Sequence, residues 1–410
     1  MPNIVREKIS IQALKIGMYV CELDRPWLET PYQLQGFSID SEDDIQELEN
    51  YCNFVYIDVR RSIERELRQL DKNIQPKFST KDKSTVYHTV YSDSHAMEDE
   101  MPTAKKNFEQ MTKNNESLIT QLINGESLDI NKFKESTHQM VDSVIRNPDA
   151  VLWLMRLKQS DDYMYQHSLR CSILATAFGR QLGLSKNELY HLAIGAALLD
   201  IGKLHLSKSL LDQPGKLAEE DFKKARDHVR LGLRMISKSG GVDEAVYAMV
   251  ASHHERFNGK GYPNGLSGND IPLFGRIAAI VDCYDAISSN RVYAKAISPS
   301  EAVKKLYEWR DIDFHAPLVE VFIQALGIYP AGSLVELSSG EVGVVMSGYR
   351  ARRLRPKIML ILDKDKKHYA EFTTIDLYQI TKTKEGENLN IKQSIESGSY
   401  GVNLNELLLA

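Results

Sequence analysis

The sequence predicts a multidomain, mainly α protein: an all-helical core between a small α+β N-terminal domain and a small β-rich C-terminal domain. Three observations carry this. Residues 148 to 328 are helical in pattern, with few strand signals. The first seventy residues mix strand alternation with a capped helix, and after Pro330 the pattern turns to alternating strands. A chain of 410 residues has room for two or three domains.

Residues 1 to 72 read as the small α+β domain. "KISIQAL" alternates Ile9 and Ile11 as a strand does. "SEDDIQELENYC" opens with Ser41, with Asp44 three residues on, a capping box that starts a short helix. "NFVYIDV" then reads as a buried strand. Residues 73 to 100 are polar and without periodicity, a linker. From 101 to 147 the pattern is helical, and Phe108, Met111, Leu118 and Leu122 form an apolar stripe. Core packing accounts for that stripe, as a partner helix also would.

Past the helical block, residues 329 to 382 form the β-rich extension. "SLVELSSGEVGVVMSG" is a hairpin turning at Ser339-Gly340, and "KIMLILD" and "HYAEFTTIDL" are further strands of a small barrel or roll. Residues 383 to 410 read as a loose tail. No internal repeat is present.

Composition narrows function. Net charge is −5, which argues against a nucleic-acid polymer as partner. The basic run "RARRLRPK" (350 to 357) reads as a solvated loop, with anion binding as the alternative. The four cysteines (Cys21, Cys52, Cys171, Cys283) form no CxxC pair, as expected of reduced thiols in a cytoplasm. The N-terminus lacks a signal-peptide core, and no stretch approaches the ~20 apolar residues of a membrane span.

The helical block carries the chemistry. "AALLDIGK" ends an apolar run in Asp200, and a buried carboxylate must be paired or hold a metal. The same block holds His167, His228, His253, His254 and Asp282. Nitrogen and oxygen ligands without thiolates suit iron, manganese, nickel or zinc. One aspartate can bridge two cations, and two metals can activate a water and clamp a phosphate. Isolated histidines such as His191, His205 and His315 read as surface or satisfied core residues. The adjacent pair closing "AVYAMVASHHE" is a stronger signal, although alone it does not separate ligands from core. The loop after it holds Gly259, Gly261, Tyr262, Pro263 and Gly265. Glycines at that density fix a loop whose amides can approach an anion, with Lys260 adding charge; a plain connection is the alternative. "GKGYPNG" is not a Walker motif.

"HHERFNGKGYP" resembles the signature of the HD-GYP family, bacterial cyclic di-GMP phosphodiesterases of the HD superfamily. "YQHSLR", "AALLDIGK", "LLDQPGKL", "DHVRLG", "HHERFNGKGYPNGL" and "IPLFGRIAAIVDCYDAISSNRVY" follow in family order over about 160 to 320. The N-terminal segment, with "GMYVCELDRPWLETPYQLQGF", resembles the small domain of unknown function that often precedes this catalytic domain. The β-rich end resembles the family's C-terminal extension.

The resemblance implies one metal among Asp200, His228, His253 and His254. It implies a second held by His167, Asp200, Asp282 and a histidine directly before the bridging aspartate. Iron or manganese is expected, as one or two ions. Asp200 and Lys203 are the implied catalytic residues, Lys203 meeting a phosphate oxygen. Gly261, Tyr262 and Pro263 shape the substrate wall, and Arg291 reaches the dinucleotide. The implied partners are cyclic di-GMP and either a second copy of the chain or a signalling protein.

The sequence departs from the family where its name begins, with Leu199 standing in place of the histidine before Asp200. The second metal site thus loses a ligand, which lowers metal affinity. Val292 follows Arg291 where proline is usual, Ala294 stands at a basic position with Lys295 one further, and "FDP" reads "FHAP". His205, six residues past Leu199, lies on another face of any continuous helix and is a poor substitute ligand. The expectation is metal-assisted hydrolysis of cyclic di-GMP, weakened at the altered site. The alternative is an inactive module that binds metal or nucleotide and signals through protein contacts.

Overall fold

The computed structural model describes residues 6–25, 30, 36–39, 41–58, 89–123, 130–157, 163–211, 213, 215, 217–239, 242–290, 295–348, 354–383, 385–396 and 398–402. Arg291, most of the expected linker and the basic run "RARR" lie outside them. The chain divides into two compact units, Met1–Val86 with Tyr349–Leu354, and Tyr87–Gly348 with Arg355–Ala410.

Among the described residues, the first unit is a four-stranded antiparallel sheet with one helix. Its strands are β1 (Arg6–Ser10), β2 (Tyr19–Leu23), β3 (Phe37–Ser38) and β4 (Phe54–Asp58), in the order β1-β4-β2-β3. Helix α1 (Glu42–Glu49) starts at the expected capping box: Asp44 N–H donates to Ser41 Oγ at 3.3 Å, and Ser41 N–H donates to Asp44 Oδ2 at 2.9 Å. Val20, Ile39, Leu48, Val55 and Ile57 form the core. The strand expected through Ile11 ends one residue earlier. Ile11 opens a 3-10 turn, Ile11–Ala13, which buries its side chain while the Leu14 N–H bonds back to the Ile11 carbonyl.

The second unit begins with two long helices, α2 (Met97–Ile123) and α3 (Ile130–Arg146). Helix α2 therefore starts inside the stretch expected as linker. The pair runs antiparallel: Asn107 Nδ2 donates to Gln139 O and Ser143 Oγ, and Arg146 clamps buried Glu100 through two nitrogens at 2.7 and 2.8 Å. Of the apolar stripe, Phe108, Met111 and Leu118 are buried; the side chain of Leu122 lies outside the described residues.

The helical block follows as α4 (Pro148–Leu157), α5 (Tyr163–Leu182), α6 (Lys186–Ala197), α7 (Lys208–Leu211), α8 (Glu219–Arg226), α9 (His228–Ser239), α10 (Glu244–Ser252), α11 (Leu273–Ser288), α12 (Pro299–Glu308) and α13 (Ala316–Leu326). Helix α4 is buried from Ala150 to Leu157, as a helix apolar all round must be. The one charge in that buried span, Arg156, is satisfied by Tyr284 Oη at 2.9 Å and Ser288 Oγ at 3.3 Å on α11. Helix α5 lies against α6, where the Ser168 and Ser172 hydroxyls donate to the carbonyls of Ala197 and Ala193.

The C-terminal sheet contains β5 (Leu334–Leu337), β6 (Val342–Ser347), β7 (Lys357–Leu362), β8 (His368–Asp376) and β9 (Ile391–Ile395), in the order β8-β7-β6-β5-β9. Two expectations change here. The sheet is open rather than a closed barrel, since β8 and β9 are its two edges and no pairing joins them among the described residues. The expected tail contributes β9, which pairs antiparallel with β5, Val335 opposite Ser394. "IKQSI" is too polar to announce a strand; it is held by backbone hydrogen bonds at an edge, where one face stays wet.

Candidate metal centre

Three helix ends converge at the site. Helix α6 stops at Ala197, and a turn leads through Asp200 into a 3-10 turn at Ile201–His205. Gly202 makes the approach possible: a Cβ there would lie 1.9 Å from the His228 carbonyl oxygen. Only glycine lets this turn rest on the start of α9 and bring Asp200 to His228. Helix α10 delivers the histidine pair, with His253 as its C-cap.

The imidazoles are oriented from behind. His228 Nδ1 donates to Ala225 O at 2.6 Å, and His253 Nδ1 donates to Val250 O at 2.7 Å. Their Nε2 atoms are then lone-pair nitrogens facing inward, 3.4 Å apart, and His254 Nε2 lies 3.2 Å from that of His228. Burial keeps all three uncharged. It pulls the His253 pKa down to about 4, with His228 adding repulsion, and lowers those of His228 and His254 as well. Asp200 Oδ1 faces the same point, 3.4 Å from His228 Nε2 and 3.9 Å from His253 Nε2. That oxygen is buried and accepts no hydrogen bond from a described residue. The Nε2 lone pairs of His228 and His253 and the Asp200 oxygen repel one another, and a dication among them removes both the repulsion and the unmet acceptor. The donor set fits a divalent metal.

A second set shares Asp200. His167 Nε2 lies 3.2 Å from Asp200 Oδ2 and 3.4 Å from Asp282 Oδ1, and the three can converge on one ion. Burial opposes charge on both carboxyls, but Lys203 and His167 hold Asp200 well below the usual carboxylate range, and His167 and His254 do the same for Asp282. Lys203 Nζ sits 2.5 Å from Asp200 Oδ2. Leu199 is 1% exposed and offers no donor atom to this set.

The GYP loop closes over the pair. A Cβ on Gly261 would lie 2.4 Å from Arg256 N and 2.5 Å from His254 O, so only glycine passes there. The Tyr262 ring stacks on His254 at 4.6 Å and 28°. Pro263 and Lys260 are exposed.

The structure thus brings together His167, Asp200, Lys203, His228, His253, His254, Asp282, Gly261 and Tyr262. Arg291 is outside the described residues, and His205 is exposed and in neither set.

Sequence reasoning missed three supporting residues. Asp285 accepts from His167 Nδ1 at 2.7 Å and is gripped by Arg170 at 2.5 and 2.9 Å. Its spacing of three from Asp282 on one helix face was the available signal. Glu255, 1% exposed, accepts the Asn264 and Leu266 N–H groups at 2.7 and 3.0 Å and so ties down the GYP loop.

Fold and site define an HD-domain protein, a helical domain built around histidine and aspartate ligands. The HD domain profile matches residues 154–314. A domain of unknown function (DUF3391) matches 6–133, and a KOW domain associated with the HD domain matches 334–395. The cyclic di-GMP phosphodiesterase PA4108 of Pseudomonas aeruginosa is 31% identical over 379 residues, 92% of this chain and 90% of that one. The cyclic di-GMP phosphodiesterase response regulator RpfG of Xanthomonas campestris pv. campestris is 38% identical over 156 residues, 38% of this chain and 41% of that one. The 3'3'-cGAMP-specific phosphodiesterase 2 of Vibrio cholerae is 28% identical over 192 residues, 47% of this chain and 35% of that one. The chain belongs to the HD-GYP family of phosphodiesterases.

Proposed function

We propose that this protein hydrolyses cyclic di-GMP at the shared carboxylate of Asp200. The observation that carries the reading is the meeting of three uncharged imidazole nitrogens with a buried, unsatisfied Asp200 oxygen. His228, His253, His254 and Asp200 hold one divalent ion; His167, Asp200 and Asp282 hold the weaker second position, where Leu199 replaces a ligand. Iron or manganese suits these donors. Bound there, a divalent cation acidifies water and polarises a phosphoryl oxygen.

The chain's own groups supply the rest. Lys203 reaches from Asp200 to the phosphate and offsets the negative charge that grows on it. Asp285 and Arg170 keep His167 aimed, and Glu255 holds the loop that places Tyr262 beside His254. Gly261, Tyr262 and Pro263 form the substrate wall, and Arg291 contacts the nucleotide. The division into an N-terminal domain to residue 72, a catalytic domain over 148–328 and a β-rich extension from 329 belongs to the same proposal. The HD match over 154–314 and the KOW match over 334–395 support the second and third of these; the N-terminal match runs on to residue 133.

The test is direct. Purified protein loaded with manganese or ferrous iron is incubated with cyclic di-GMP, and products are followed by chromatography. Linear dinucleotide or GMP is expected. Nucleotide binding without turnover in either metal overturns hydrolysis in favour of the binding module that Leu199 also suggests.

A further inference from the structure

Helix α8, "EEDFKKAR", buries none of its residues, yet it carries a phenylalanine. Phe222 is 41% exposed and meets the Tyr262 ring edge-on at 6.2 Å and 79°. Arg226, one turn further, stands over both rings, its guanidinium carbon 4.3 Å from the Phe222 centroid and 4.7 Å from that of Tyr262. Tyr262 in turn stacks on His254, whose Nε2 belongs to the metal cluster. An aromatic surface therefore runs outward from the metal centre to an exposed ring and a guanidinium.

The charges around Arg226 make its state informative. Lys223 pairs with Glu219 at 3.3 Å, Lys224 with Asp221 at 2.9 Å, and Arg230 with Asp227 at 3.4 Å. Arg226 makes no hydrogen bond or ion pair to a described residue; its contacts are the two rings. Held over the rings, the guanidinium keeps N–H groups that no described residue engages. A part-exposed ring beside a fork of donors suits a purine. The base stacks on the ring, and its edge meets the donors.

We propose that Phe222 and Arg226 form a base platform that selects guanine in the dinucleotide entering this site. The proposal rests on the reading of the site as one for a cyclic dinucleotide. Guanine offers two acceptors, N7 and O6, to an arginine fork, whereas adenine places an amino donor where O6 stands. A purely structural role is the competitor: the cluster would only hold the Tyr262 loop.

The experiment uses the full-length, manganese-loaded protein and measures cyclic di-GMP and cyclic di-AMP binding by calorimetry, with turnover followed separately. Phe222→Ala is expected to weaken both nucleotides by about 10-fold, and Phe222→Trp to restore them. Arg226→Lys keeps the charge and loses the fork, so the preference for cyclic di-GMP over cyclic di-AMP is expected to fall by about 10-fold. Metal content and melting temperature stay at wild-type values in all three. Unchanged affinities in Phe222→Ala and Arg226→Lys overturn the platform. So does a loss of affinity that tracks a loss of bound metal. If the wild type binds with guanine preference and the variants weaken it but nothing is hydrolysed, the platform stands and the hydrolytic reading falls.

Discussion

Asp285 accepts the Nδ1 proton of His167 at 2.7 Å, and this contact decides which nitrogen of His167 faces Asp200 and Asp282. The carboxylate is fully buried, which pushes its pKa up, and Arg170 together with His167 outweighs that push and keeps it ionised. A ligand histidine held by a carboxylate behind it has a fixed tautomer and a fixed ring.

Removing that carboxylate strips the buried Arg170 of its paired hydrogen bonds to Asp285. Asp285→Ala is therefore expected to cost about 3–5 kcal/mol of stability, read by denaturant unfolding of the metal-free protein. A loss below about 1 kcal/mol, the range of exposed pairs, contradicts the buried pairing.

Leu199→His supplies the donor that the His167–Asp200–Asp282 set lacks. The expected outcome is more bound metal per chain, rising toward two ions by elemental analysis, with faster turnover. Unchanged metal content in an active protein would show that position 199 does not face the second site.

Gly202→Ala places a methyl group 1.9 Å from the His228 carbonyl oxygen. The turn must move off α9, carrying Asp200 with it. A destabilisation of about 1–3 kcal/mol is expected, together with weaker metal binding. Melting curves and metal titration check it, and wild-type affinity in this variant would sink the argument.

The histidine cluster gives the metal-free protein a pH signature. His253 has a folded pKa of about 4 against 6.5 in the unfolded chain, and burial lowers His228 and His254 in the same direction. Between pH 6.5 and 4 the unfolded state therefore binds more protons, and stability falls as pH drops through that window. His253 alone accounts for about 3 kcal/mol at the lower end. Asp200 and Asp282, held low, add stability that is lost only below their ordinary value of 3.8, so they do not offset the trend. Melting temperature from pH 7 to pH 4 in the presence of a chelator should decline, and His253→Asn should flatten the curve.

The sequence by itself determined the ligand types. It also determined the helical block that carries them, the capped helix at Ser41, the hairpin strands and the loss at Leu199. These are local facts: a capping box, an alternation or a histidine pair closing an apolar run can be read within a dozen residues. Tertiary structure decided the rest, because the remaining features join residues far apart in the chain. Arg170 and Asp285 are separated by more than a hundred residues and look like ordinary helix charges until α5 and α11 meet. The polar strand β9 exists only because β5 presents a free edge. Asp200 is already the candidate bridge in the sequence; only the fold sets three imidazoles around its unsatisfied oxygen. A buried charge cannot stand alone in a low-dielectric interior, so the fold had to show which partners it has.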